Sequence, residues 1–422
     1  MIETMEELNS FLNKRETLGI KPGLHRIKHL LMVYDQPEKK MLAIHVAGTN
    51  GKGSTVAFLA NTLQRLGYRV GTFTSPSLAT RNEMIQVNGE PISDQALFDY
   101  FSLISAEINQ LDQVGDSPSP FEIIVAIAFK YLHDHADIAI IETGMGGKED
   151  ATNVLSPLIS IITTIGLDHK QFLGDSYASI ASHKAGIIKQ NTPVIIGDLP
   201  EEANRVIKQY AVEQDAPLYQ LGKAFIYTKI EDRYYHFAGL NHDFAFTLAM
   251  KGSHQAHNAS IAIATLLQLQ AKGYAITEEM IATALSDTKV TGRFEQVTAH
   301  SPTIIVDGAH NTESIEAFVQ TVQQNYPNQE KQLIFAAFKD KPVKEMIKRV
   351  DPVFDCILFT SFDHPRAAKA TELFSHSNNP NKQFIENWEE VVDQVLRQEM
   401  TTFITGSMDF IGKVSKRLRK DQ

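Results

Sequence analysis

At 422 residues the chain is too long for one ordinary domain, and two or three domains are expected. Lys and Arg total 40 against 50 Asp and Glu, a net charge of −10 that argues against nonspecific nucleic-acid binding, and the single cysteine, Cys356, excludes an internal disulfide. With no run of about 18 apolar residues and a polar, acidic start, MIETMEELNSFLNKR, the sequence reads as a soluble cytoplasmic protein with neither membrane span nor signal peptide.

The run MLAIHVAG predicts a strand over Met41–Gly48. Directly after it, GTNGKGST sets Gly48, Gly51 and Gly53 around a lysine, ahead of a helix over Lys52–Leu66 that Gly67 stops. The spacing is not that of the general phosphate loop G-x-x-x-x-G-K-[ST]: Val46 stands where the first glycine belongs, and Gly53 fills the Ser/Thr position. The physical arrangement survives. A strand ends, glycines permit tight turns, Lys52 follows, and Ser54 and Thr55 open a helix whose unpaired N–H groups attract an anion.

Further strands are expected at Tyr68–Thr74, Ala136–Thr143, Leu158–Gly166 and Thr192–Gly197. Helices are expected at Gln95–Leu111, Phe121–His135 and Tyr177–Lys189, with a loop at Gly115–Pro120. This alternation describes a mostly parallel sheet covered on both faces. After helical patterns at His254–Lys272 and Ile276–Leu285 comes a join near Asp287–Thr298. A second αβ series then starts near Ser301, carried by PTIIVDGAHN, KQLIFAAF, CILFTSF and TTFITGS. The expected fold class is α/β: a P-loop-containing, mostly parallel sheet domain over 1–292, followed by a smaller Rossmann-like α/β domain over 293–422.

Ligands of such sheets bind beyond the carboxyl ends of the strands. Ser75, Asp168 and His169 follow predicted strands, as the phosphate loop does, and Glu142 ends one. Glu142 and Ser75 offer the hard oxygens that Mg²⁺ shares with nucleotide phosphates, whereas His169 is an atypical ligand for that ion. Read singly, each has a plainer role: a loop-capping carboxylate, a turn serine before Pro76, a structural histidine.

The motifs HVAGTNGKGST, TSPSLATRNEMI, IETGMGGKEDATN, GLDHKQFLG, ASHKAGIIK, HQAHNA, TGRFE and VDGAHN run in the order found in folylpolyglutamate synthase/dihydrofolate synthase, a two-domain family of the Mur ligase superfamily. The chain resembles that family from about Gly23 to Ser407. The resemblance implies an ATP- and Mg²⁺-dependent ligase that joins L-glutamate to a folate, or to dihydropteroate, through an acyl phosphate. It implies that Gly51, Lys52, Gly53 and Ser54 hold the ATP phosphates. Ser75 and Glu142 would ligate Mg²⁺, with His169 on a second ion. Lys184 would be carbamylated, turning a cation into an oxygen ligand, although on its own it reads as a solvated helix lysine. Asn258, Arg293 and Asp307 would contact the nucleotide between domains, and His310 would lie near the glutamate or phosphate.

For the pterin, the resemblance points to Phe121 and Glu122 in SPFE and to Glu149, Asp150 and Ala151 in KEDATN. An aromatic face and a carboxylate suit its ring and its N–H groups. The partners expected are therefore small molecules, with no nucleic acid and no membrane, and the protein is expected to act as a monomer. Three positions depart from the family pattern: Met84 replaces a common arginine, Thr312 a common proline, and TGSMDFIG an aromatic C-terminal motif. Two rival readings are a Mur-type ligase for another carboxylate and a noncatalytic nucleotide-dependent binding protein. The first generally has an additional N-terminal domain, for which the roughly 40 residues before the first strand are too few. The second leaves Asp168, His169, Lys184 and the second αβ series without a purpose.

Overall fold

The computed structural model describes residues 2–298 and 301–420. The chain folds into two compact units. The first comprises the chain up to Pro76 with Thr80–Thr247 and His257–Asp287; the second comprises Ser77–Ala79, Leu248–Ala256 and the chain from Thr288 onward. A single cut after residue 292 would give the first unit three short segments that group with the second: Ser77–Ala79, Leu248–Ala256 and residues 288–292.

The first unit is built on eight strands: β1 (Ala43–Ala47), β2 (Val70–Phe73), β3 (Ile85–Val87), β4 (Glu90–Pro91), β5 (Ile138–Glu142), β6 (Ile159–Ile162), β7 (Val194–Ile196) and β8 (Leu218–Gln220). Their order is β4-β3-β2-β5-β1-β6-β7-β8. From β2 to β8 all neighbours are parallel, and only β3 and β4 run antiparallel at one edge. Parallel strands covered on both faces read as continuous apolar runs, which is why these were legible. From β1 the chain leaves to β2, returns at β5 and then crosses to β6, so β1 lies where the winding reverses. Helices Met5–Arg15 and His25–Val33, not anticipated from the sequence, add Leu8, Leu12, Ile27, Leu30 and Leu31 to the core under β2 and β5.

A second sheet in this unit was also unforeseen: β9 (Phe225–Glu231), β10 (Tyr234–Gly239) and β11 (His242–Thr247), antiparallel in the order β11-β10-β9. It buries Phe225, Tyr235, Phe237 and Phe246 on one side. The expected helix over Tyr177–Lys189 ends at Ala185. Gly186 lies so close to Lys148 that a Cβ there would meet the Lys148 Cα at 2.4 Å.

The second unit contains β12 (Glu295–Gln296), β13 (Ile304–Val306), β14 (Lys331–Phe335), β15 (Cys356–Ser361), β16 (Lys382–Asn387) and β17 (Thr401–Thr405), ordered β12-β13-β17-β14-β15-β16. All pairs are parallel except β12–β13. Phe294, Phe318, Phe354 and Phe403 pack as a ring cluster beneath it. Among the described residues, no helix is long and apolar enough to cross a membrane.

Candidate active site

The phosphate loop leaves β1 at Ala47 and enters helix Lys52–Arg65 through Gly51, whose φ of 89° lies in the left-handed region. Two glycines have steric reasons. A Cβ on Gly48 would sit 1.8 Å from Thr163 Oγ1, and one on Gly51 would sit 2.2 Å from Asn258 Oδ1. Among the described residues no side chain caps the helix, so its first N–H groups keep the partial positive charge that draws an anion.

The loop is braced from the end of β6. Thr49 N–H donates to Thr164 O at 2.9 Å, Asn50 N–H to Thr164 Oγ1 at 2.9 Å, and Thr163 Oγ1 to Asn50 O at 2.6 Å. Gly166 N–H closes the brace on Thr49 Oγ1. Sequence reasoning missed these threonines. The visible signal was a pair of hydroxyl residues immediately after an apolar strand.

Lys52 Nζ donates to Gly48 O at 3.1 Å and stands 3.6 Å from Glu142 Oε1. The register explains the meeting, because Val46 of β1 pairs with Glu142 at the end of β5. Glu142 is buried, and its other oxygen faces Gly53, 3.8 Å from where a Cβ would be. On the neighbouring strand Phe73 pairs with Ile141, which puts Ser75 on the same rim as Glu142. His169 opens helix Lys170–Leu173 with φ at 52°; its ring is substantially exposed, with Nε2 4.0 Å from Asp168 Oδ2.

Lys184 is not a solvated helix lysine. It is 3% exposed, and burial, assisted by the charge of Lys52 and opposed by Asp168 and Asp150, pulls its ammonium from 10.5 to about 7. An amine in that range is available in neutral form near physiological pH.

The segment from Gly144 to Asp150 packs between two elements. Phe121, at the start of helix Pro120–His135, covers Gly144 so closely that a Cβ there would meet Phe121 Cζ at 2.5 Å. At the other end Lys148 N–H donates to His183 O at 2.7 Å. Asp150 is buried and accepts from Met145 N–H, Thr152 N–H and Thr152 Oγ1. Burial raises its pKa and these donors oppose the rise. Ala151 is buried beside it, and Glu149 is exposed. Glu122 is engaged within the fold: it accepts from Ser119 N–H and Oγ in a capping box and from Arg26 Nε at 2.9 Å. The S-x-x-E spacing of SPFE, read from the sequence only as a pterin contact, is that of such a cap.

Arg293, Asp307 and His310 gather separately in the second unit. Asp307 is buried and accepts from Phe294 and Ala309 N–H, each at 2.9 Å; burial raises its pKa and the Arg293 charge opposes this. Arg293 Nη1 donates to Met408 Sδ at 3.3 Å across Gly308. His310 Nδ1 bonds Gly308 O at 2.8 Å, which makes Nε2 the ring's acceptor. Asn311 caps helix Thr312–Asn325, so a helix starts there with threonine at its first position.

Residues 46–266 match the Mur ligase middle domain, and residues 292–408 match the Mur ligase glutamate ligase domain. The dihydrofolate synthase/folylpolyglutamate synthase of Bacillus subtilis (strain 168) is 38% identical over 99% of this chain and 100% of its own length. The chain belongs to the folylpolyglutamate synthase/dihydrofolate synthase family. A Mycobacterium tuberculosis folylpolyglutamate synthase complexed with ADP superposes with a TM-score of 0.91 at 27% identity, covering 98% of both chains. An Escherichia coli FolC structure with DHPP and ADP gives 0.89 at 26% identity, over 99% of this chain and 98% of that one. Membership in this family makes the chain an ATP-dependent ligase of the Mur type.

Proposed function

We propose that this chain joins L-glutamate to a carboxylate of folate and of dihydropteroate at the expense of ATP, through an acyl phosphate. The observation that carries the reading is the intact phosphate loop, with Lys52 Nζ at Gly48 O and 3.6 Å from Glu142, in a chain that aligns end to end with a bifunctional relative. The substrate carboxylate oxygen attacks the γ-phosphorus of ATP and ADP leaves. The glutamate nitrogen then attacks the acyl carbon, the C–O bond to phosphate breaks, and the amine gives up its proton. Each step builds negative charge on oxygen, so fixed donors and cations do most of the work.

In this reading Gly51, Lys52, Gly53 and Ser54 hold the β- and γ-phosphates, and Asn258, Arg293 and Asp307 contact the rest of the nucleotide. Phe121, Glu149, Asp150 and Ala151 face the pterin, while Glu122 holds Phe121's helix start in place. His310 lies near the glutamate or the transferred phosphate in this reading. Mg²⁺ fits the donor set. Among the described residues no three His, Cys, Asp or Glu side chains cluster as a ready-made metal cage, and Mg²⁺ needs none, because it keeps water and phosphate oxygens in its shell. Glu142 and Ser75 would hold it, with His169 and a carbamylated Lys184 at a second ion, and it would neutralise phosphate charge. The buried, near-neutral amine of Lys184 is what addition to CO₂ requires. Soluble, cytoplasmic and monomeric action completes the proposal.

The test is substrate dependence. Purified protein should release ADP only when ATP, L-glutamate and either dihydropteroate or a reduced folate are all present. ADP release indifferent to glutamate would overturn the reading.

A further inference from the structure

His45 lies in the middle of β1, four residues before Thr49 of the phosphate loop, and its side chain is fully buried. Neither phosphate binding nor strand packing calls for an imidazole there, since its strand neighbours Ile44 and Val46 are aliphatic. Its Nε2 lies 2.9 Å from Thr152 Oγ1, and Thr152 Oγ1 lies 2.5 Å from Asp150 Oδ1. The direction of these bonds follows from chemistry. Asp150 receives N–H donors from Met145 and Thr152, so its carboxylate is an acceptor, and the Thr152 hydroxyl must spend its one proton on it. The hydroxyl then accepts from His45, which fixes the imidazole as the neutral Nε2–H tautomer. Among the described residues, nothing partners the buried His45 Nδ1, as that tautomer leaves it.

We infer that His45 is a positioning residue for the pterin-side loop: through Thr152 it fixes the orientation of the Asp150 carboxylate and the seat of Gly144–Asp150 between Phe121 and the helix carrying Lys184. The argument rests on the proposed folate reading of that loop. The strand that begins the phosphate loop thereby also anchors the loop for the second substrate, so both substrates are registered to one rigid element. Burial agrees with a permanently neutral ring, since it drives the His45 pKa down to about 3.

The test compares His45→Gln with His45→Asn. Glutamine places its amide N–H near the Nε2 position, whereas asparagine reaches only as far as Nδ1, so only glutamine keeps the donor to Thr152. Expected is a rise of about tenfold or more in KM for dihydropteroate in His45→Asn, the effect of losing one buried hydrogen bond, with KM for ATP within about twofold and most of the loss restored in His45→Gln. Equal losses in both variants, or none in either, would overturn the inference. ¹⁵N NMR of the wild-type protein, which needs no variant to fold, should show Nε2 protonated and Nδ1 bare from pH 6 to 9; a charged or Nδ1–H ring would also overturn it. If His45→Asn raises KM for ATP and leaves dihydropteroate unmoved while the tautomer holds, the relay stands and the folate reading of the loop fails.

Discussion

Lys52 Nζ and Glu142 Oε1 face each other at 3.6 Å across the ends of adjacent parallel strands, too far for a hydrogen bond and close enough for strong attraction. A buried carboxylate held short of its lysine beside an open helix N-terminus is arranged to share that lysine with another anion. Lys52→Met keeps the stem and removes the charge, and should lower kcat by about 10²–10³-fold or more, the cost of losing one preorganised stabiliser of transition-state charge. Thermal unfolding within a few degrees of wild type should show the fold intact. Turnover close to wild type would remove Lys52 from the chemistry.

Glu142→Gln keeps the shape but loses the charge and exchanges one acceptor oxygen for an N–H donor. Its turnover should require more Mg²⁺ for half-maximal rate. A magnesium titration that superposes on wild type would show that Glu142 does not serve the metal.

Gly51→Ala meets two obstacles. A left-handed backbone costs an ordinary residue about 1–2 kcal/mol, and the new Cβ falls 2.2 Å from Asn258 Oδ1. KM for ATP should therefore rise well before stability collapses, because Asn258 and the loop must shift together. An unchanged KM for ATP would mean the loop does not hold the nucleotide.

The sheets were legible where burial is symmetric. β1, β5 and β6 are largely apolar, with the buried His45, Ser160 and Glu142 as their polar members, because helices cover both faces. The antiparallel β9–β11 sheet carries period-two alternation instead, and its turns put Arg233, Leu240 and Asn241 at positive φ, where a hairpin usually signals itself with a glycine; the nearby Gly239 stands one place before Leu240. The motif spacing led to Lys52 and Glu142, and the register brings them together. Lys184's burial was not visible: its helix neighbours Ser182 and His183 are polar, and only the fold shows Gly147 packed on the carbonyls of His183 and Lys184 and the helix's C-cap Gly186 packed on Lys148. Nor could spacing reveal that Thr163 and Thr164 brace the phosphate loop, since they lie more than a hundred residues from it.

Lys184 predicts a pH signature. In the unfolded chain a lysine titrates near 10.4, whereas in the fold it is pulled down to about 7. Between those values the unfolded state holds a proton that the native state lacks. Stability contributed at this position is therefore present above the upper value, is lost as pH falls toward about 7, and changes no further below it. In CO₂-free buffer, the melting temperature of Lys184→Met relative to wild type should rise steadily as pH falls from 10 to 7, because other lysines cancel in the difference. A difference independent of pH would contradict a buried, neutral amine. Lys184→Ala should be nearly inactive and partly rescued by a short carboxylic acid, which can return the missing oxygens.

The central claim is that a substrate carboxylate takes the γ-phosphoryl group before glutamate attacks. Substrate labelled with ¹⁸O in that carboxylate tests it most directly. An acyl phosphate sends one labelled oxygen into each phosphate released, so the account predicts labelled phosphate in step with product. Product formed with unlabelled phosphate would contradict it.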